Sequence, residues 1–445
     1  MTRSALSTLS EWRPPAAPDP VSSDGPAPGQ SPLRLGRRSF VQQIARGAMA
    51  GAFAAHPLLR GLLLSGRTPS LAPRSAASRA RPFHMVVLGD SVAWGQGLRD
   101  ADKYSTLVAQ WLEQQLGRPV ASWMFAHSGA VIGPDPSDSS APLLPQEVPT
   151  NCPSVMAQLG GVAGYFANHP PIDAVHDAPV TTREVGLVLV DGGINDVNVR
   201  DILTMDPSIL RPERWIRGLA RERCVERIGQ VLLPEVLAAF PNAQVVVTGY
   251  YAIVSEDSRL GDLERFLHDL GVVGLPADAG IDELVRKKLA GQCSAFCDET
   301  TRGLRDVVPQ AEPLRVVASS SSSASGARTA GPVLATPQGT TRQAPHRAHF
   351  VDCGLTASQA FGASDTVLWG VPASDPIAGE REQDCRALGG SPEYLMCLEA
   401  SAGHPNRDGA RLIAARITRT LECVLVHPST MAGVSIRPNR GCLLP

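Results

Sequence analysis

The stretch HMVVLGDSVAWGQGL, residues 84–98, joins an apolar run to an abrupt Gly-Asp-Ser and then two further glycines. Met85 to Leu88 is short and uninterrupted, as a strand covered on both faces of a parallel sheet has to be. Gly89 permits a sharp exit, and ligand crevices of open α/β sheets lie at the carboxyl ends of such strands. Ser91 therefore falls where a nucleophile or a phosphate-binding residue belongs. On these residues alone, an ordinary β-to-α turn with a capping Asp-Ser pair fits equally well.

Working outward, strand and helix signals alternate. DADKYSTLVAQWLEQQLG carries Tyr104, Leu107, Val108, Trp111 and Leu112 at helical spacing and stops at Gly117. PVASWMFAHSGA reads as a second strand ending in another Ser-Gly, and residues 134–150, rich in Pro, Ser and Asp, read as a surface loop. REVGLVLVDGGINDVN is the strongest strand, Val185 to Val190, followed by a glycine pair and Asn195-Asp196. The pattern predicts a helix over 222–240 broken near Pro234, a buried strand in AQVVVTGYY, another in HRAHFVDC, and a final helix just after His404. Residues 255–310 are helical in pattern, with Leu263, Phe266, Leu267 and Leu270 on one face, and suit a cap or lid or an ordinary covering helix. Residues 319–347 are low-complexity. The expected fold is a three-layer α/β/α sandwich around a central, doubly wound parallel sheet.

Composition narrows the partners. The 445-residue chain is 43% hydrophobic, and its net charge of -2 is unevenly spread. Residues 1–82 hold 11 Arg, no Lys and 3 acids, whereas the remainder holds 30 basic and 40 acidic residues. An acidic body without a basic, aromatic-laced patch argues against nucleic acid. The basic leader places Arg37-Arg38 before a small-residue apolar stretch and resembles a twin-arginine export signal, with an organelle transit peptide as the alternative. Arg60 interrupts its apolar run, so no stable membrane span is expected. Nine cysteines suit an oxidising compartment. Cys293/Cys297 and Cys385/Cys397 are close enough to bridge locally, and Cys224 reads as a small buried apolar residue. No cysteine or histidine spacing fits a structural zinc site, and a metal held by His346 and His349 has weak support.

Four residues stand at strand ends or helix starts: Ser91, Gly129, Asn195 and His404. In the order GDS, HSGA, GGIND and GHPNRDGA, over residues 83–425, they resemble the SGNH (GDSL-type) hydrolase superfamily. The resemblance implies a carboxylic ester hydrolase, esterase- or lipase-like, with no cofactor and no metal. Ser91 would attack the ester carbonyl and His404 would take and return the proton. The oxyanion would be met by the Ser91 and Gly129 backbone N–H groups and the Asn195 amide. His127, beside Ser128, reads as structural.

The pattern departs from the family at one position. Its members usually carry an aspartate three residues before the histidine, and here that residue is Ser401. Ser401 is a possible orienter of His404, as are a backbone carbonyl of Ala400–Gly403, which would leave a Ser-His dyad, and Glu399. Asp408 is a less suitable orienter, lying beyond the histidine. The chain has no G-x-S-x-G elbow, P-loop, H-E-x-x-H or dinucleotide fingerprint. The reading is an exported enzyme acting on a small-molecule, lipid or glycan ester. Residues 1–82 would be signal and tether, 83–425 the hydrolase domain with insertions at 255–310 and 319–347, and 426–445 a tail. O-acyl transfer by the same site is the alternative, as is a non-catalytic glycan- or lipid-binding module.

Overall fold

Each of the five apolar runs forms a strand: β1 (Phe83–Leu88), β2 (Val120–Met124), β3 (Val185–Val190), β4 (Gln244–Thr248) and β5 (Ala348–Val351). They pair in parallel in the order β2-β1-β3-β4-β5. This is a computed structural model, described over residues 81–141, 143–168, 180–206, 208–270, 282–311, 346–370, 378–388 and 393–426. The expected leader up to residue 80, the low-complexity insertion up to 345 and the tail beyond 426 lie outside the described residues.

The central strands β1, β3 and β4 are buried because both faces of the sheet are covered there. Met85 to Leu88 and Leu187 to Val190 are all fully or almost fully inaccessible, which only a two-sided cover produces. Tyr104–Leu116 (α1), ended by a left-handed Gly117, packs on the final helix of the chain and on β2. Val155–Asn168 (α2) packs against β1. Pro212–Ala220 (α3) starts on a proline, continues through wide turns over 221–226 and 228–232, and passes into Leu233–Ala239 (α4), where Pro234 stands in the first turn. The expected helix over 222–240 thus begins ten residues earlier, and Pro234 opens its last segment. Cys224 is buried here, as expected.

Leu260–Asp269 (α5) and Glu283–Val307 (α6) occupy the 255–310 region. α6 lies along α3 and its wide-turn continuation, with Leu289, Phe296 and Leu304 buried. Ala378–Leu388 (α7), Glu393–Ala400 (α8) and Arg407–Leu421 (α9) complete the chain's helices of two turns or more among the described residues. A Cys385–Cys397 disulfide joins α7 to α8. Cys293 and Cys297 are free. Residues four apart on one helix keep their Cβ atoms about 5–6 Å apart, beyond the ~4 Å a disulfide spans.

Strand order positions the site. The chain steps from β1 to β2 on one side and then to β3 on the other, so the order in which strands are added reverses at β1. A crevice opens at the carboxyl ends of the strands flanking such a switch point. Val87 pairs with Met124 and Leu88 with Val190, so the Gly-Asp-Ser, His-Ser-Gly and Gly-Gly-Ile-Asn-Asp loops all leave the same sheet edge.

Candidate active site

Ser91 opens a one-turn helix, Ser91–Trp94, set at the end of β1. Asp90 caps it, its carboxylate accepting the Val92 N–H at 2.9 Å. Gly89 makes the corner at φ +139, and a Cβ there would stand 2.0 Å from Asp191 Oδ1. That oxygen accepts the Asp90 N–H at 2.8 Å. Gln158 from α2 completes the corner, accepting from the Gly89 N–H and donating to the Gly89 carbonyl, each at 2.9 Å. The turn that aims Ser91 is therefore held by side chains from two other elements.

His404 comes from the far end of the chain. The Gly403 N–H donates to the Trp369 carbonyl and the Trp369 N–H to the His404 carbonyl, both at 2.8 Å. Tyr251 donates its hydroxyl to the Gly403 carbonyl at 3.1 Å. Asn406 caps α9 by accepting from the Asp408 and Gly409 N–H groups. These bonds bring His404 Nε2 to 2.7 Å from Ser91 Oγ, across 313 residues of sequence. Ser91 is 6% exposed.

The second ring nitrogen of His404, Nδ1, is buried and makes no hydrogen bond of ordinary geometry. The carbonyls of Ser401, Ala402 and Ala400 favour the charged ring, but burial outweighs them and lowers its pKa to about 4. The Ser401 hydroxyl donates elsewhere, to the Leu398 carbonyl at 3.3 Å. Asp408 pairs with Arg411 at 2.7 Å. The helices leading to His404 are anchored by Asp384, whose fully buried carboxylate meets Arg99 and Arg407, each at 2.6 Å.

The other two predicted residues lie on adjoining loops. Asn195 Nδ2 donates to the Ala130 carbonyl at 3.0 Å, placing its amide beside the residue after Gly129. Gly129 sits at φ +81, where a Cβ would come within 2.5 Å of the Thr150 nitrogen, so only glycine fits. The His127 N–H donates to the Gly89 carbonyl at 3.1 Å, tying this loop to the Ser91 turn. His127's ring nitrogens lie 2.9 Å from the Ser128 carbonyl and 3.2 Å from that of Leu144, and burial lowers its pKa. A groove of about 520 Å³ borders Asn195, with Val131, Asp135, Asn151 and Glu222 along it; neither Ser91 nor His404 lines it. His349, considered as a metal ligand, hydrogen-bonds Gln244 at 2.8 Å.

Apart from Asp90, which belongs to the Gly-Asp-Ser motif, several supporting residues carry no sequence signal of their own. Asp90 and Asp191 form a buried carboxyl pair, both held above the usual carboxylate range, chiefly by burial. Tyr250 donates to Asp90 Oδ2 at 2.6 Å and accepts from the Ile194 N–H at 3.3 Å, linking the Ser91 turn to the Asn195 loop. Glu147 accepts from Trp94 Nε1 at 2.8 Å and Gln96 Nε2 at 2.6 Å. Lys103 lies 3.1 Å over the Trp94 ring and 3.1 Å from Asp100. Burial pushes the Lys103 pKa down and that of Glu147 up. Their only common signal is position: polar residues near strand ends and near the Gly-Asp-Ser turn.

The fold, a parallel five-stranded sheet between helices, is the one the SGNH resemblance implies. No family model matches the chain, and no curated protein matches it. Among solved structures it is similar to an extracellular lipase from Streptomyces rimosus, with 16% identity and a TM-score of 0.38 over 75% of this chain and 99% of that one. It is also similar to phospholipase A1 from Streptomyces albidoflavus NA297, with 15% identity and a TM-score of 0.37 over 76% of this chain and 100% of that one.

Proposed function

We propose that this chain is an exported serine hydrolase of the SGNH type that cleaves carboxylic esters through a Ser91–His404 dyad. The observation that carries the reading is the 2.7 Å contact between Ser91 Oγ and His404 Nε2. A serine hydroxyl is a poor nucleophile until a base takes its proton, and an unprotonated imidazole at hydrogen-bond distance is that base. With a pKa near 4, His404 is neutral at pH 7 and ready to accept. The Cys385–Cys397 disulfide, together with the twin-arginine-like leader, supports export.

In this mechanism Ser91 Oγ bonds to the ester carbonyl carbon as its proton passes to His404 Nε2. The carbonyl π electrons move onto oxygen, and that oxyanion meets the Ser91 N–H, the Gly129 N–H and the Asn195 amide. Ser91 is the first residue of its helical turn, so its N–H is one that the helix itself does not use. Collapse of the intermediate breaks the bond to the alcohol oxygen, which leaves with the proton from His404. Water, deprotonated by His404, then attacks the acyl-Ser91, and the carboxylic acid departs as Ser91 recovers its proton. In place of the usual aspartate the ring has only the nearby carbonyls of Ser401, Ala402 and Ala400, none in ordinary hydrogen-bond geometry to Nδ1. Lacking its charge, they stabilise the imidazolium less, and losing the acid costs on the order of 10⁴ in rate in a triad protease. Slow turnover is therefore expected.

The test is release of p-nitrophenol from its acetate and octanoate esters by the chain beside Ser91→Ala. Turnover that vanishes in the variant supports the reading, and the ratio of the two esters reports the acyl preference. A wild type no faster than Ser91→Ala on both esters overturns it.

A further inference from the structure

Gly129 and Asn195 lie on separate loops, and donors from separate loops serve one oxyanion only if the loops keep fixed register. An error of about 1 Å is enough to lose the geometry. Besides Asn195 and Ala130, one further contact joins these loops directly and a second bridges them through Arg227. Asp196 Oδ2 accepts the Ile132 N–H at 2.9 Å. Arg227 Nη2 donates to the Gly133 carbonyl at 2.7 Å. The two side chains are themselves paired, Arg227 Nη1 lying 3.0 Å from Asp196 Oδ1, with the Asp196 side chain only 2% exposed.

The support beneath them is the wide-turn segment after α3. Arg223 donates to the Asp196 carbonyl at 3.3 Å, and the Cys224 thiol to the Gly192 carbonyl at 3.4 Å. This one segment thus grips the Asn195 loop at two carbonyls and a carboxylate, and the Gly129 loop at one carbonyl. The chemistry that needs the grip is specific. A primary amide has two N–H bonds, and giving one to Ala130 fixes both the plane of Asn195 and which end faces outward. The second N–H is left for another acceptor, whereas a flipped amide would present oxygen in its place.

We propose that the Asp196–Arg227 pair, its carboxylate buried and its guanidinium part-exposed, is a positioning device for the oxyanion donors, holding residues 130–133 against residues 193–196 so that Gly129 N–H and Asn195 Nδ2 converge. This rests on the Ser91–His404 reading. The pair touches no reacting atom and acts through Asn195 and Gly129. An ion pair that merely stabilises the fold would affect melting and leave turnover of the folded fraction alone.

A double-mutant cycle on the full chain separates these roles, using kcat and KM for p-nitrophenyl acetate together with Tm. Asp196→Asn is expected to lower kcat on the order of 10- to 100-fold, less than the 10²–10³ of deleting an oxyanion donor outright, with KM within about twofold. In an Asn195→Ala background the same substitution is expected to cost clearly less than in wild type, because one of the two donors it positions is already gone and only Gly129 is left to misplace. Arg227→Lys should keep more kcat than Arg227→Met. Should Asp196→Asn not fold, the two Arg227 variants run the same cycle. Equal losses in both backgrounds, or a lower Tm with unchanged kcat, overturn the inference. A wild type indistinguishable from Ser91→Ala overturns the hydrolase reading itself and this inference with it.

Discussion

The acid limb of the pH–rate profile is where the buried histidine gives a sharp expectation. His404 has its pKa lowered from 6.5 to about 4, with burial the largest cause. At 1.36 kcal/mol per unit, that is about 3 kcal/mol of disfavour for the charged ring. On the proposed mechanism the base works only when neutral, so activity should fall as pH drops through the folded pKa. At pH 5.5 a pKa of about 4 leaves about 97% of His404 competent, whereas an ordinary pKa of 6.5 leaves about 9%. The assay is kcat/KM for p-nitrophenyl acetate from pH 3.5 to 8, read where phenol and phenolate absorb equally, since this ratio reports the free enzyme. A limb centred between pH 6 and 7 refutes the reasoning. Far-UV circular dichroism at each pH checks folding, because the same shift costs stability below about pH 6.5, where the unfolded chain takes up a proton that the folded ring refuses. Ser401→Asp is the converse perturbation: a carboxylate beside the imidazole should move the limb up by about a unit or more. Ser401 is fully buried, so a lower Tm should accompany it.

Three further outcomes follow from packing. Gly129→Ala forces a Cβ within 2.5 Å of the Thr150 nitrogen at φ +81, and kcat should fall on the order of 10²-fold as the donor shifts, measured against wild-type KM. Tyr250→Phe removes the 2.6 Å bond to Asp90 and leaves the Ile194 N–H without its acceptor, so denaturant unfolding should show a loss of about 1–3 kcal/mol; an unchanged midpoint would count against that network. Replacing Cys385 and Cys397 by serine opens a loop with a sequence separation of 12, worth about 3 kcal/mol by chain entropy, and should lower Tm by several degrees.

The strands are legible because a strand buried on both faces cannot alternate, and VGLVLV and QVVVT do not. Their order is not, since β1 and β3 are separated by two whole units and nothing in either run names its neighbour. The start of the helix ending at Ala239 is hidden for a related reason. The segment PERWIRGLA, residues 212–220, is polar and arginine-rich, and only Ile216, Leu219 and Ala220 face inward. Around the candidate site, the loop positions of Ser91, Gly129, Asn195 and His404 can be read because each stands at an abrupt change from apolar run to glycine or from proline to helix. Gln158, Asp191 and Tyr250 cannot. Each is a single polar residue whose value lies in a partner on another element, Gly89 for Gln158, Asp90 for the other two.

The missing aspartate is the departure that sequence and structure treat differently. From the residues, Ser401 for Asp looks like a lost part. In the fold, the loop around His404 is tied by backbone bonds to Trp369 and by Tyr251, so the ring's position does not depend on a carboxylate. What a carboxylate adds beyond position is charge, and charge both steadies the imidazolium and raises the resting pKa. A site that keeps the geometry and drops the charge exchanges rate for a base that stays neutral in acid. On that account the same substitution, Ser401→Asp, should speed turnover near pH 8 and narrow the active range from below. A variant faster at pH 8 with its acid limb still near pH 4 would break the link between the two effects.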